Sequence, residues 1–276
     1  MDAERSEPLN PQAREMADES MVRNLAAQAL AIWPQEEPLI RRYGLPDHAE
    51  ILDAGCGTGE ISSRLATLFP NSTVLGVDVL DKHLEFARTR FTDFGERVRF
   101  ENRSVYDLGL PGGAFDLTVC RHVIHSIPYP ERVLAELIRV TRSGGRIHVI
   151  AEDYGMIHFE PRALDPDAFW REGPRAFGEA TGTDLLVGRK VYGLFRRLDL
   201  LDVTVDYVVI DPVRVPRATF VSIWEAWRDG YARAVAEHTR FSEQEFLAHF
   251  DNMLATLRDP DGYGVWFVPI VSGRVP

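Results

Sequence analysis

The stretch from Ile51 to Ser62, ILDAGCGTGEIS, holds the densest set of chemically useful features in the chain: Asp53 two positions before a glycine, then Gly55, Gly57 and Gly59 at alternate positions. Aliphatic residues followed by this spacing read as a buried strand that ends in a tight glycine turn and enters a helix near Ile61. Glycine accepts positive φ and lets a bulky ligand lie directly against the main chain, while the free N–H groups of the helix start face the turn. A second feature is Asp78 in TVLGVDVL, nineteen residues beyond Gly59, where a carboxylate can accept hydrogen bonds from both hydroxyls of a ribose. A third is a set of polar side chains after two later apolar runs: Arg121, His122 and His125, then Asp153 and Tyr154, with His158 further along. Histidine titrates near neutral pH, which makes His122 and His125 candidate general bases.

The turn's spacing narrows the ligand. A dinucleotide turn needs its third glycine where Glu60 stands, and a phosphate loop needs Gly-Lys-Ser/Thr, which is absent. An acidic side chain at the helix entry would also repel a pyrophosphate.

These residues need elements to hold them. From Ala49 to Asp153 strand and helix patterns alternate, with strands at roughly 49–54, 73–78, 98–103, 115–120 and 145–152, which argues a doubly wound, mostly parallel sheet covered by helices on both faces. Leu84, Ala87, Phe91 and Phe94 form one helix face after an expected Asp81 cap; Val133, Leu134, Leu137 and Ile138 form another, ending at Gly144-Gly145. Before the sheet, residues 1–13 read as a disordered leader and 14–48 as a helical cap, with one helix stopping at Trp33-Pro34 and a short second one over Glu37 to Tyr43. After residue 155, DAFWREGPRAFG reads as short helix and loop, 188–198 as a helix and 202–210 as a strand. A helical insertion over 211–263 and a last strand from Gly264 follow, so that 49–210 and 264–276 form the core. In such a sheet, ligands bind at the carboxyl ends of the strands beside the point where strand order reverses, and all three features fall there.

The chain has 276 residues, 45% of them hydrophobic, enough for a full core. Its net charge of −11, with no dense run of Lys and Arg, points away from RNA or DNA as partner. No apolar run approaches the ~18 residues of a membrane span and MDAERSEP is not a signal peptide, so the expected compartment is the cytoplasm, without membrane attachment. Cys56 and Cys120 are too few for a disulfide framework and read as small core residues; no Cys or His spacing suggests a metal site.

The Asp-x-Gly-x-Gly-x-Gly turn at 53–59, Asp78, and the block AFDLTVCRHVIHSIPYPERVLAELIRVTRSGG together resemble the class I S-adenosylmethionine-dependent methyltransferases over about residues 50–152. The resemblance implies a seven-stranded sheet with the last strand antiparallel, S-adenosylmethionine as cofactor, and a small-molecule acceptor of the quinone or natural-product kind. It places the cofactor on Asp53, Gly55, Cys56, Gly57, Gly59, Val79 and Arg121, its ribose on Asp78, and its adenine beside Ser104 and Val105. Relatives often carry Asp where this chain has Ser104, and a hydroxyl makes the weaker neutral bond; Asp107 is a substitute or a plain loop residue. The helices before the first strand and those of 211–263 would then form a lid over the pocket.

Methyl transfer is a direct displacement, so the protein's task is to hold acceptor, methyl carbon and sulfur in line away from water; a phenol or carbon acceptor also gains from a base. His122 and Tyr154 are the candidate catalytic residues, and Trp33, His122, His125, Asp153, Tyr154 and His158 the candidate acceptor contacts. The carboxylate and amide set by which catechol methyltransferases hold magnesium cannot be assembled. Phe159, Phe169, Trp170, Trp224 and Trp227 lie outside the matched blocks and suggest a flat aromatic acceptor; the stripe Phe220, Trp224, Trp227 and Tyr231 reads equally as core or as a homodimer interface. The rival to an enzyme is a non-catalytic S-adenosylmethionine or S-adenosylhomocysteine binder on the same fold. Asp78→Ala is expected to weaken S-adenosylmethionine binding on the order of tenfold or more in calorimetric titration; unchanged affinity would sink the ribose assignment.

Overall fold

The computed structural model describes residues 19–276, so the leader expected at 1–13 lies outside the described residues. Strands β1 (Glu50–Ala54), β2 (Thr73–Asp78), β3 (Val98–Asn102), β4 (Phe115–Arg121) and β5 (Thr141–Ile150) are parallel and lie side by side in the order β3-β2-β1-β4-β5. Three antiparallel strands complete the sheet: β6 (Ile157–Phe159) and β7 (Leu201–Ile210) both pair with β8 (Gly264–Arg274), which also pairs with β5. The expected count of seven strands falls one short. β6 is three residues long, too brief for a periodic signal, and takes up the Gly264–Trp266 end of β8 where β5 no longer reaches it.

Ile51, Leu52, Leu117, Val119, Ile147 and Val149 are buried completely, as parallel strands covered on both faces require. One face is covered by Ile61 and Leu65 of α2 (Glu60–Leu68) and Leu84 and Ala87 of α3 (Asp81–Arg90), together with residues of α1 (Glu19–Arg41). The other is covered by Val133, Leu134 and Leu137 of α4 (Pro130–Val140) and by Val191 and Leu194 of α6 (Gly188–Arg197), which follows α5 (Pro166–Thr181) in the chain. Asp81 does not cap α3. It is the helix's first residue and takes a hydrogen bond from Asn102 instead, while Asp78 Oδ1 accepts from Leu80 N–H at 3.0 Å.

A third core lies among α1, α5, α7 (Arg217–His238) and α8 (Glu243–Arg258), over the ends of β6, β7 and β8. The stripe Phe220, Trp224 and Trp227 is buried inside it, so these three rings are core and form no dimer surface. α8 begins with a complete capping box, Ser242 with Glu245. α5 is one helix where a short helix and loop were expected: Asp165 caps it by accepting from Asp167 N–H at 3.0 Å, Pro166 sits where its missing N–H costs nothing, and Pro174 is carried inside.

The N-terminal cap also departs from expectation, because α1 continues through Pro34 and Pro38 as a single helix. Leu30, Pro34 and Pro38 all lie on its exposed side, so the carbonyls the prolines leave free face water. Two polar anchors hold the helix to the sheet. The Gln35 side-chain amide donates to Val209 O at 2.9 Å and accepts from Val209 N–H at 3.1 Å, pairing with edge strand β7 as a further strand would. Glu36, fully buried, lies 2.9 Å from Arg121 Nε and 3.0 Å from His148 Nε2, and the Tyr43 hydroxyl meets His148 Nδ1 at 2.7 Å. Burial works against the charge on Glu36, but Arg121 and His148 hold its carboxyl below the usual range. Burial pushes the Tyr43 phenol up to about 12, which keeps it an O–H donor. Glu36→Ala strands the Arg121 charge inside the protein and is expected to cost about 3–5 kcal/mol in urea unfolding; a loss below about 1 kcal/mol would mean that water reaches the pair.

Candidate active site

Strand order reverses between β1 and β4, and the main cleft, a cavity of about 140 Å³, opens there at the carboxyl ends of the strands. Its walls come from every parallel strand: Gly55 and Gly57 after β1, Asp78 and Val79 after β2, Ser104 and Val105 after β3, Arg121, His122 and His125 after β4, and Tyr154 after β5. α1 closes the remaining side with Met21, Asn24, Leu25 and Gln28.

The glycine turn is held by Gly55 N–H and Cys56 N–H, which both donate to Val77 O, at 2.8 and 2.9 Å. Gly55 has φ 78°, and a Cβ there would fall 2.2 Å from Val123; Gly59 has φ 80°, and its Cβ would fall 2.8 Å from the Phe100 ring. Only glycine lets α2 start this close to β3 and lets the segment after β4 lie against the turn. Asp78 braces the turn as well as lining the cleft, since its Oδ2 accepts from Gly57 N–H at 2.9 Å. Ser104 stabilises its own loop, its Oγ accepting from Tyr106 N–H at 3.3 Å, and Asp107 is an exposed loop residue that accepts from Gly109 N–H.

Several expected site residues stand elsewhere. Asp53 lies behind the turn, buried, with Ser62 Oγ donating to it at 2.7 Å. Cys56 and Gly59 are likewise behind the cleft wall, and burial pushes the Cys56 thiol up. Trp33 is buried in the core between α1 and the sheet, with the Arg64 guanidinium 6.0 Å from its ring centre. Asp153 points away from the cleft: it is bound in two places by Arg189, at 2.5 and 2.6 Å, and accepts from Gly155 N–H. His158 is half exposed on another face, 3.2 Å from Asp167.

The residue that does face the site is Glu152, one position before the expected Asp153. Carrying the alternation of His148 and Ile150 two residues further selects Glu152 as the side chain on the cleft side. It is 1% exposed and lies between two imidazoles, with Oε1 against His122 Nδ1 and Oε2 2.6 Å from His125 Nδ1. Burial disfavours its charge, yet the two histidines hold the carboxyl well below its usual range. Burial likewise lowers His122 beneath the ordinary histidine value, only partly opposed by Glu152. We therefore assign an ionised Glu152 accepting from a neutral His122 Nδ1–H. That tautomer leaves His122 Nε2 as a free lone pair, and Nε2 has no hydrogen-bond partner among the described residues. His122 is held there at φ 57°, a left-handed conformation uncommon for a side-chain-bearing residue, with its N–H donating to Ile150 O at 2.9 Å. Tyr154 is buried edge-on to His125, with ring centres 5.9 Å apart.

Comparison with known proteins agrees with this architecture. A methyltransferase domain model matches residues 52–149. Trans-aconitate 2-methyltransferase of Deinococcus radiodurans is 31% identical over 182 residues, covering 64% of this chain and 67% of that protein. 27-O-demethylrifamycin SV methyltransferase of Amycolatopsis mediterranei is 32% identical over 120 residues, 43% of each chain. Among solved structures, phosphoethanolamine N-methyltransferase 2 of Haemonchus contortus superposes with a TM-score of 0.57 at 17% identity, over 88% of this chain and 53% of that one. The chain belongs to the class I S-adenosylmethionine-dependent methyltransferases. It spans between 24% and 43% of the length of the first curated relatives it matches.

Burial pushes Asp53 up to about 6, an effect that Ser62 and Arg121 only partly offset. A carboxyl that titrates higher in the folded state than its ordinary 3.8 favours folding while protonated, and that advantage is lost as pH rises from about 4 through about 6. Asp53→Asn should remove the pH dependence. In urea unfolding, the wild type should lose about 2 kcal/mol relative to the variant between pH 4 and pH 7, and a constant difference would show that Asp53 titrates alike in the folded and unfolded chain.

Proposed function

We propose that the chain transfers a methyl group from S-adenosylmethionine to a small aromatic or heteroaromatic acceptor, at oxygen, nitrogen or carbon, with His122 as general base and Glu152 as its positioning partner. The observation that carries this reading is the buried His122–Glu152–His125 cluster, with an unpaired imidazole nitrogen beside the glycine turn and Asp78.

The cleft suits the cofactor. Asp78 uses one lone pair of each oxygen on backbone N–H groups and keeps others for ribose hydroxyls. Gly55 and Gly57 offer bare main chain, and Val79, Ser104 and Val105 supply the wall for a flat base. Glu60, paired with Arg90, leaves the helix entry without the free positive charge that a pyrophosphate would seek. When bound, S-adenosylmethionine supplies a methyl carbon made electrophilic by its positively charged sulfur.

The remaining work falls to the protein's own side chains. His122 Nε2 accepts the proton of a phenol, a ring N–H or a carbon acid as the acceptor's electron pair moves to the methyl carbon. The ionised Glu152 stabilises the imidazolium that results and fixes the ring through Nδ1. Tyr154 and Tyr231 present aromatic faces at the same end of the cavity, where a planar acceptor can lie. A binder that only sensed the cofactor would have no use for a base with an unpaired nitrogen in this position.

Two variants test the assignment. His122→Ala and Glu152→Gln should each lower kcat by about 10²-fold or more, while S-adenosylhomocysteine affinity measured by calorimetry stays within about threefold of wild type. Because burial lowers His122, the wild-type rate should hold as pH falls and decline only at an apparent pKa below 6.5, and that limb should vanish in His122→Ala. Wild-type turnover in either variant, or an acid limb above pH 7, would remove His122 from the base role.

A further inference from the structure

Beside the catalytic cleft lies a second, partly open cavity of about 50 Å³, lined by α5, α7 and α8 together with Tyr154 and Leu185. Its wall is aromatic and aliphatic, with Phe169, Trp170, Trp227, Phe246 and Phe250 contributing rings, and among the described residues no charged side chain lines it. Tyr154 and Tyr231 line both cavities and form the partition between them. The rings of the wall interlock: Tyr154 stacks on Trp170 with centres 5.7 Å apart and meets Trp227 edge-on at 5.4 Å, and Phe246 stacks on Phe250 at 4.4 Å. Protein interiors rarely leave apolar space unfilled, and this space adjoins the cleft through Tyr154 and Tyr231.

We propose that this chamber is an acceptor subsite, which takes a small uncharged hydrocarbon branch of the molecule whose reacting atom sits at His122. The proposal rests on the methyl-transfer reading and adds to it the shape of the acceptor. The chamber of about 50 Å³ adds to the cleft room for a branch of a few carbons. Each carbon buried there strengthens binding about fourfold until the space is filled. A carboxylate or ammonium would enter a wall with no counter-charge and is excluded. The whole wall lies between residues 154 and 250, beyond the 52–149 stretch shared with the family model, so this selectivity belongs to the chain's own helical layer.

Two measurements on the full chain with S-adenosylhomocysteine test this. Crystals under xenon pressure should show xenon between Tyr154 and Phe250. Calorimetric titration with phenol, 4-methylphenol, 4-ethylphenol, 4-isopropylphenol and 4-tert-octylphenol should show affinity rising about fourfold per added carbon over the first two or three and then falling, with 4-hydroxybenzoate not bound. Val235→Phe, which fills the chamber from α7, should abolish the xenon site and flatten the series without changing S-adenosylhomocysteine affinity; Leu185→Phe is the second variant should the first not fold. Xenon absent from the chamber, a flat series in the wild type, or an unaltered series in a folded filled variant would each overturn the subsite. Failure of S-adenosylhomocysteine to bind would instead refute the methyl-transfer reading, and the xenon experiment, which needs no cofactor, would still decide the chamber.

Discussion

Two carboxylates, Glu36 and Glu152, are buried to within 1% exposure at the carboxyl end of the sheet, and much of the site follows from the need to compensate them. A charge taken from water costs several kcal/mol unless neighbours replace its hydration. Both compensations come from the same point, the end of β4. Arg121 turns to Glu36 of α1, and His122, the next residue, turns to Glu152 beyond β5. The end of β4 is thereby pinned from two sides, which also accounts for the left-handed backbone at His122: the conformation is uncommon, but a buried ion pair at Arg121 and the buried contact of His122 with Glu152 over-determine it.

The same pair of contacts divides α1 into two halves with different holds on the protein. Its C-terminal half is anchored by Glu36 and by the Gln35 amide on the edge of β7. Its N-terminal half lines the cleft with Met21, Asn24 and Leu25, and the ion pairs of Arg23 with Glu19 and with Asp229 are exposed. Exposed pairs contribute roughly 0–1 kcal/mol, so packing of Asn24, Ala27, Gln28 and Ala29, all buried, holds this half in place.

How much of this was readable beforehand varies with the physics involved. The parallel core was legible because covered strands must be apolar throughout, and Ile51–Leu52, Val74–Leu75 and Leu117 with Val119 advertise that directly. The glycine turn and Asp78 were legible because few residue types tolerate the turn's backbone. α1 was misread at Pro34 and Pro38, since local propensity cannot show that both prolines and Leu30 face water, where a lost backbone bond is replaced. Glu152 was missed in favour of Asp153 because adjacent acids differ only in which side of the chain they leave, and that depends on where β5 stops and how it alternates. Trp33 and His158 were placed in the pocket on residue type alone, and the fold sends one into the core and the other to the surface.

The two halves of the site differ in what relatives can say about them. The cofactor side lies almost wholly within residues 52–149, where strand ends and a glycine turn fix the geometry whatever the acceptor is. The proposed acceptor side adjoins α5, α7 and α8, whose aromatic residues pack into a third core together with Ile150, Val208, Ile210, Trp266, Val268 and Ile270 of the strands. That layer lies outside the matched stretch, so the proposed acceptor side is built from segments the family model does not cover. Ring-on-ring contacts at Phe169, Trp170, Trp227 and Phe250 knit this layer together, and interlocked rings leave less room to repack than a methionine-rich wall would.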